Sequence, residues 1–157
     1  MRLLVPTTFL ISFAACGGGG VVMDNDAGTY NCANETRADT FVVGLDKHGA
    51  ATALDFKLVQ ADPAPPARND NTWQLQISAM SGGTVGSTVA GASLTVTPFM
   101  PDHQHGTPIQ VGITDKGGGM YELSPVNMWM PGLWETTIQA SSASGSDQAV
   151  FRFCIPE

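Results

Sequence analysis

Met100-Pro-Asp-His103-Gln-His105-Gly and Met128-Trp-Met130-Pro-Gly gather two of the chain's three histidines and three of its seven methionines into two short segments. Their Pro and Gly content keeps either from reading as a regular strand or helix. Imidazole nitrogen and thioether sulfur are the ligands that soft and borderline metals prefer, copper above all. In extended backbone, residues two apart project to the same side. His103 and His105 could therefore reach one ion, with Met100, Met128 and Met130 adding sulfur. A methionine-containing set favours Cu(I), whereas two imidazoles with Asp102 and water would suit Cu(II). Zinc fits less well, because its closed structural sites use Cys and His rather than Met.

The same residues also support a purely structural reading. Pro101 and Pro108 bracket a stiff loop, and Gly106 would permit a positive φ. Asp102 could cap backbone amides, and either histidine could hold a carbonyl. Met128 and Met130 could pack on Trp129, Trp134 or Phe99. His48, within Asp46-Lys-His48-Gly49, reads as a solvated turn residue. No Gly-x-Ser-x-Gly elbow or paired-carboxylate arrangement singles out a nucleophile or an acid–base pair, so no enzyme is expected.

The elements that must position these loops are strands. Apolar and polar residues alternate with a period of two in Leu54–Leu58, Trp73–Ile77, Leu94–Val96, Ile109–Ile113, Tyr121–Leu123, Trp134–Ile138 and Ala149–Phe153. An earlier strand is expected over Phe41–Leu45. Asp46–Gly49, Asp115–Gly119 and Ser141–Asp147 read as hairpin turns, the last with a longer loop. Pro63, Pro65 and Pro66 keep the stretch 61–72 out of any central strand. No segment holds a helical apolar pattern. The expected fold is an all-β, immunoglobulin-like β-sandwich of about seven or eight antiparallel strands, with an eight-stranded barrel as the alternative.

Arg2 precedes a short apolar run from Leu3 to Phe13, followed by small residues up to Cys16. This is the pattern of a secretory signal, too short to span a bilayer. Phe13-Ala14-Ala15-Cys16 resembles a bacterial lipoprotein box, with Phe13 where Leu is usual; an ordinary signal peptide cut near Ala15 is the alternative. The resemblance implies a signal peptide over 1–15, a lipid on Cys16, and a flexible Gly/Asp-rich tether over 16–31 ahead of the domain at 32–157. The acyl chains would hold the domain at a membrane without a transmembrane helix. Gly17 after the cysteine implies, by the same resemblance, an extracytoplasmic lipoprotein of the outer membrane facing the periplasm. With Cys16 lipidated, Cys32 and Cys154 remain. In an oxidising compartment such a pair is most simply a disulfide, the alternative being two free thiols.

Antiparallel strands send successive loops to alternate ends. If Leu94–Pro98 runs upward, the loops 99–108 and 124–131 lie at the same end. The Pro-rich stretch 61–72, Cys154 and the start of the first strand after Cys32 fall there too. One topology thus makes both the disulfide and the His/Met cluster geometrically feasible.

Removal of a signal leaves about 140 residues, enough for one domain with its own core. The net charge is −7, with seven Lys and Arg in all. None of them cluster, so there is no electrostatic footprint for nucleic acid. Acidity in a secreted domain mostly serves solubility.

Phe99-Met-Pro-Asp-His-Gln-His-Gly-Thr107, Gly119-Met-Tyr121 and Pro125-Val-Asn-Met-Trp-Met-Pro-Gly-Leu-Trp134 resemble the YtkA-like/FixH-like family of small extracytoplasmic β-sandwich domains. Pro65-Pro66 and Asn71-Thr-Trp73 extend the likeness, which covers roughly residues 40 to 155. The resemblance implies copper handling or assembly of copper oxidases, with Met100, His103, His105, Met128 and Met130 as the residues concerned. The alternative to a metal role is a non-metal interaction or structural module, with the same loops docking another envelope protein.

Overall fold

Residues 30–157 are described by the computed structural model. The expected signal peptide 1–15, Cys16 and nearly all of the 16–31 tether lie outside the described residues. Ten strands follow a short 3-10 turn at Cys32–Asn34: β1 (Leu45–His48), β2 (Leu54–Asp62), β3 (Asn69–Ser81), β4 (Thr84–Thr88) and β5 (Ser93–Met100). They continue as β6 (His105–Gly106), β7 (Gly112–Gly117), β8 (Met120–Met128), β9 (Gly132–Ser142) and β10 (Gly145–Ile155). One antiparallel sheet has the order β1-β2-β3-β8-β7, with β4 joining β3, and the other has the order β10-β9-β5-β6. The two form a sandwich. Among the described residues no helix is long and apolar enough to cross a membrane.

The alternation read in the sequence is what builds the core. Leu54, Phe56 and Leu58 from β2 and Trp73, Leu75 and Ile77 from β3 are fully buried. They meet Trp134, Ile138 and Phe151 from the facing sheet. Each such side chain contributes roughly 1.5–3 kcal/mol through the apolar area it removes from water. Trp73 lies at the centre, edge-on to Phe151 at 6.3 Å and to Phe153 at 5.5 Å between ring centroids. These are favoured aromatic geometries.

The ends of several strands differ from expectation. Phe41–Gly44 is not strand: Gly44 has φ +82° and the Leu45 N–H bonds Val42 O, a turn that delays β1 to Leu45. Asp46-Lys-His48-Gly49 is accordingly not the turn it resembles, because three of its residues form β1 and pair with β2. His48 sits directly opposite Asp55, and its Nδ1 lies 2.9 Å from Asp55 Oδ1. It is therefore a strand residue with a partner rather than a solvated turn residue. β7 begins at Gly112, so Ile109–Val111 remain in the preceding loop. The β9–β10 hairpin is tight, with Ser142 paired to Gly145.

A free sheet edge invites pairing with other chains, and β10 has its outer edge covered. Its carbonyls at Gln148, Val150 and Arg152 accept from Ala50 N–H, Lys47 Nζ and Asp39 N–H at 2.9, 2.8 and 2.8 Å. The chain before β1 and the loop after it therefore strap this edge. Cys32 and Cys154 form a disulfide across 122 residues, with 5.6 Å between their Cα atoms. It ties the start of the described chain to the end of β10.

Candidate metal-binding loops

The connection β5–β6–β7, the turn 129–131 between β8 and β9, and the Pro-rich stretch 63–68 all emerge at one end of the sandwich. Cys32–Cys154 closes the same end. Side-chain amides hold this end together. Asn71 accepts from Ala67 N–H and donates to the carbonyls of Ala67, Asn69 and Val126. Asn127 accepts from Thr107 Oγ1 at 2.9 Å and donates to Asp70 at 2.6 Å. Both are buried, and a buried amide fully satisfied in this way fixes the loops it bridges.

The Met100–Gly106 stretch is a miniature hairpin. β5 and β6 pair only at Phe99–Gly106 and Met100–His105. Gly106 serves through close approach rather than a positive φ: a Cβ there would stand 2.7 Å from Pro98 O. His105 is half-buried and His103 exposed. Their ring centroids are 5.7 Å apart. The His105 ring also stacks on Trp129 at 5.7 Å with 23° between planes. His105 Nδ1 lies 3.0 Å from Gly106 O. An Nδ1–H donated to that carbonyl leaves Nε2 with a free lone pair, the state in which imidazole binds metals.

The three methionines divide differently. Met100 and Met128 are each 0% exposed and belong to the core cluster. Met130 is partly buried and packs against it, while its carbonyl accepts from Trp134 Nε1 at 2.9 Å. Trp129 points the other way and is 41% exposed, with its carbonyl held by Arg68 Nε at 3.0 Å. It shares a shallow apolar depression with Pro108, Ile109 and Asn127. Of the five candidate ligands, His103, His105 and Met130 thus retain contact with solvent, and Met100 and Met128 lie beneath.

Asp102 neither caps backbone amides nor stands free beside the imidazoles. Arg37 clamps it with two bonds of 2.7 Å, a bidentate geometry that favours the ionised carboxylate. Arg37 thereby holds the Asp102 carboxyl below its ordinary value. The same guanidinium binds Glu35 and takes its carboxyl down to about 2. Tyr30 adds a 2.8 Å bond to Glu35. Burial pushes the Tyr30 hydroxyl above its ordinary value, and the Glu35 contact reinforces this. This group pins the loop tip to the segment around Cys32. Arg37 and Tyr30 were not legible as positioning residues, since nothing local marks a partner 65 or 72 positions away.

No match was found among curated proteins or among solved structures. The family model described as YtkA-like matches residues 48–139, more than half of the chain. That span runs from the end of β1 into β9 and includes both His/Met segments. Nearly all-β structure in two antiparallel sheets agrees with it, and the chain belongs to the YtkA-like family.

Proposed function

We propose that this protein is a lipid-anchored extracytoplasmic domain that binds or delivers copper through the loop carrying His103 and His105. Met100 or Met130 would add thioether sulfur. The spacing of the two imidazoles carries the reading. Two rings sharing one ion, each with a nitrogen roughly 2.0–2.1 Å from it, have centroids no more than roughly 6.4 Å apart. At 5.7 Å the pair is within that reach. Imidazole with thioether selects copper over harder ions, and Cu(I) in particular. Copper would be cargo here, held at an exposed rim from which it can be handed on.

The compartment reading rests on two supports. A disulfide between Cys32 and Cys154 persists in oxidising surroundings and is rare in the cytosol. The start of the chain carries the lipoprotein pattern ending at Cys16. Acylation there would make the membrane surface the protein's first partner.

The test is a Cu(I) titration of the purified full chain against a competing chelator, beside the His103→Ala/His105→Ala variant. One tightly held ion, lost in the variant, is the expected result. Equal, weak binding by both proteins would sink the proposal.

A second reading, a non-metal module docking another envelope protein, is favoured by exposed Trp129 beside exposed Pro108 and Ile109. It expects thermal stability unchanged by copper, and a crosslinked envelope partner that is lost in Trp129→Ala.

A further inference from the structure

We propose that Asp46, His48 and Asp55 form a separate site for a divalent transition-metal ion of the zinc class, at the opposite end of the sandwich from the His103/His105 loop. The donor atoms of the three side chains all lie within 4.8 Å of one another.

Strand geometry sets this up. Asp46 and His48 are two apart on β1 and share its outer face. Asp55 on β2 is the direct partner of His48. Lys47, between them, projects to the other face, where its ammonium meets Val150 O and Asp39. Its charge is therefore spent away from the cluster. Lys57 is the cross-strand partner of Asp46, yet among the described residues it forms no salt bridge, its stem running instead toward Gly44. Two carboxylates and an imidazole thus converge with no fixed cation between them.

The distances match coordination. With ligands roughly 2.0–2.1 Å from an ion, neighbouring donors stand roughly 2.9 Å apart in an octahedral site and roughly 3.4 Å in a tetrahedral one. His48 Nδ1 and Asp55 Oδ1 are 2.9 Å apart. All three donors lie within 4.8 Å of one another, and rotation of the exposed Asp46 carboxylate is the movement that brings its oxygen to the spacing of neighbouring ligands. The Asp55 side chain is only 3% exposed, and a buried carboxylate needs a counter-charge. Burial raises its carboxyl above the ordinary value, His48 opposes this, and the adjacent Asp46 carboxylate reinforces it. A cation held among the three donors would relieve that crowding.

One nitrogen and two oxygens without sulfur suit Zn²⁺ and similar divalent ions rather than Cu(I). Three protein ligands leave coordination positions for water, the arrangement of an open rather than a closed zinc site.

The experiment is a calorimetric Zn²⁺ titration of the full chain in the His103→Ala/His105→Ala background, which removes the other imidazoles. Asp46→Asn and His48→Ala are then added singly, with circular dichroism confirming the fold. Saturable binding of one ion, weakened at least about tenfold by either change, is expected. Asp46 is exposed, so its replacement leaves folding intact. Absence of saturable binding in the parent, or an unchanged affinity in Asp46→Asn, overturns the proposal.

Discussion

Met100 and His105 face one another across the two-rung β5–β6 ladder. Directly opposed residues of an antiparallel pair share a face, with Cβ atoms about 4.5–5.5 Å apart. One member is fully buried in the core and the other stands at the rim, stacked on Trp129. The hairpin therefore couples the packing of the sandwich to the loop that carries the imidazoles. A methionine in this position serves the core while its strand partner carries an imidazole at the rim.

Substitution by leucine separates those two roles. It conserves volume, and such swaps in a core usually cost less than about 1.5 kcal/mol. Met100→Leu is expected to keep thermal stability within that margin while weakening Cu(I) binding about tenfold. Met128→Leu, whose strand partner is Asn69 rather than a histidine, is expected to leave copper affinity unchanged. Unaltered affinity in Met100→Leu would assign its thioether to packing alone.

The stack between His105 and Trp129 supplies an optical readout. Cu(II) quenches the emission of a nearby indole, and Trp129 is the tryptophan in contact with His105. Titration of the native chain with Cu(II) should lower emission saturably. Trp129→Phe or His105→Ala should abolish most of the change, because Trp73 and Trp134 lie buried in the core. Quenching that survives in both variants would place the ion elsewhere.

The disulfide should carry much of the stability at the same end of the molecule. Closing a loop of this length contributes about 5 kcal/mol on the chain-entropy account. The Cys32→Ser/Cys154→Ser variant is expected to lose that amount in urea unfolding. Hydrogen exchange should rise first around Arg37 and the 101–104 tip, which the segment beside Cys32 holds through Asp102.

The legible parts of this fold are those where one side of a strand is buried. β10 alternates along its length, and β3 and β9 do so over Asn71–Ile77 and Trp134–Ala140, because each lays one face on the core. β4 is exposed at every residue, so Thr84–Thr88 carried no pattern to read. Ile109–Ile113 alternates without being a full strand. Gly112 is where the backbone first closes on β8, a Cβ there lying 2.7 Å from Ser124 O. At the loops, residue types pointed to His103 and His105, and strand direction brought their loop to the same end as Met128 and Met130. Burial of Met100 and Met128 was not legible, because thioether side chains suit a core and a metal equally well. Neither were the ties made by Asn71, Asn127 and Arg37, which join segments far apart in sequence.

Thr136 offers a gain in stability. It is fully buried on β9, and among the described residues its hydroxyl has no hydrogen-bond partner. Burying a hydroxyl without compensation costs roughly 1–3 kcal/mol in proteins, and valine keeps the branched shape that strands favour. Thr136→Val is expected to stabilise by about 1 kcal/mol, seen as a Tm higher by about 3–5 °C. A lower Tm would mean that the hydroxyl is satisfied in solution.

Asp147 should govern stability toward acid. Its carboxylate accepts from the N–H groups of Ala51, Ala53, Leu54 and Gln148 at 2.8, 2.8, 3.1 and 2.8 Å. It thereby locks the β1–β2 turn against β10. Gly49 leaves the necessary space, for a Cβ there would fall 2.1 Å from the Asp147 carboxyl carbon. Burial alone would raise this carboxyl, but the four backbone donors outweigh it and hold the value below the ordinary range. A carboxyl lowered on folding stabilises above its unfolded value, about pH 4, and that contribution disappears as pH falls through the folded value. Asp147→Asn keeps the size but weakens charge-assisted bonds, so it should cost about 2–3 kcal/mol at pH 7. The gap between native and variant should then narrow steadily below about pH 4. Parallel stability curves for the two proteins from pH 7 to pH 2 would refute this role for the carboxylate.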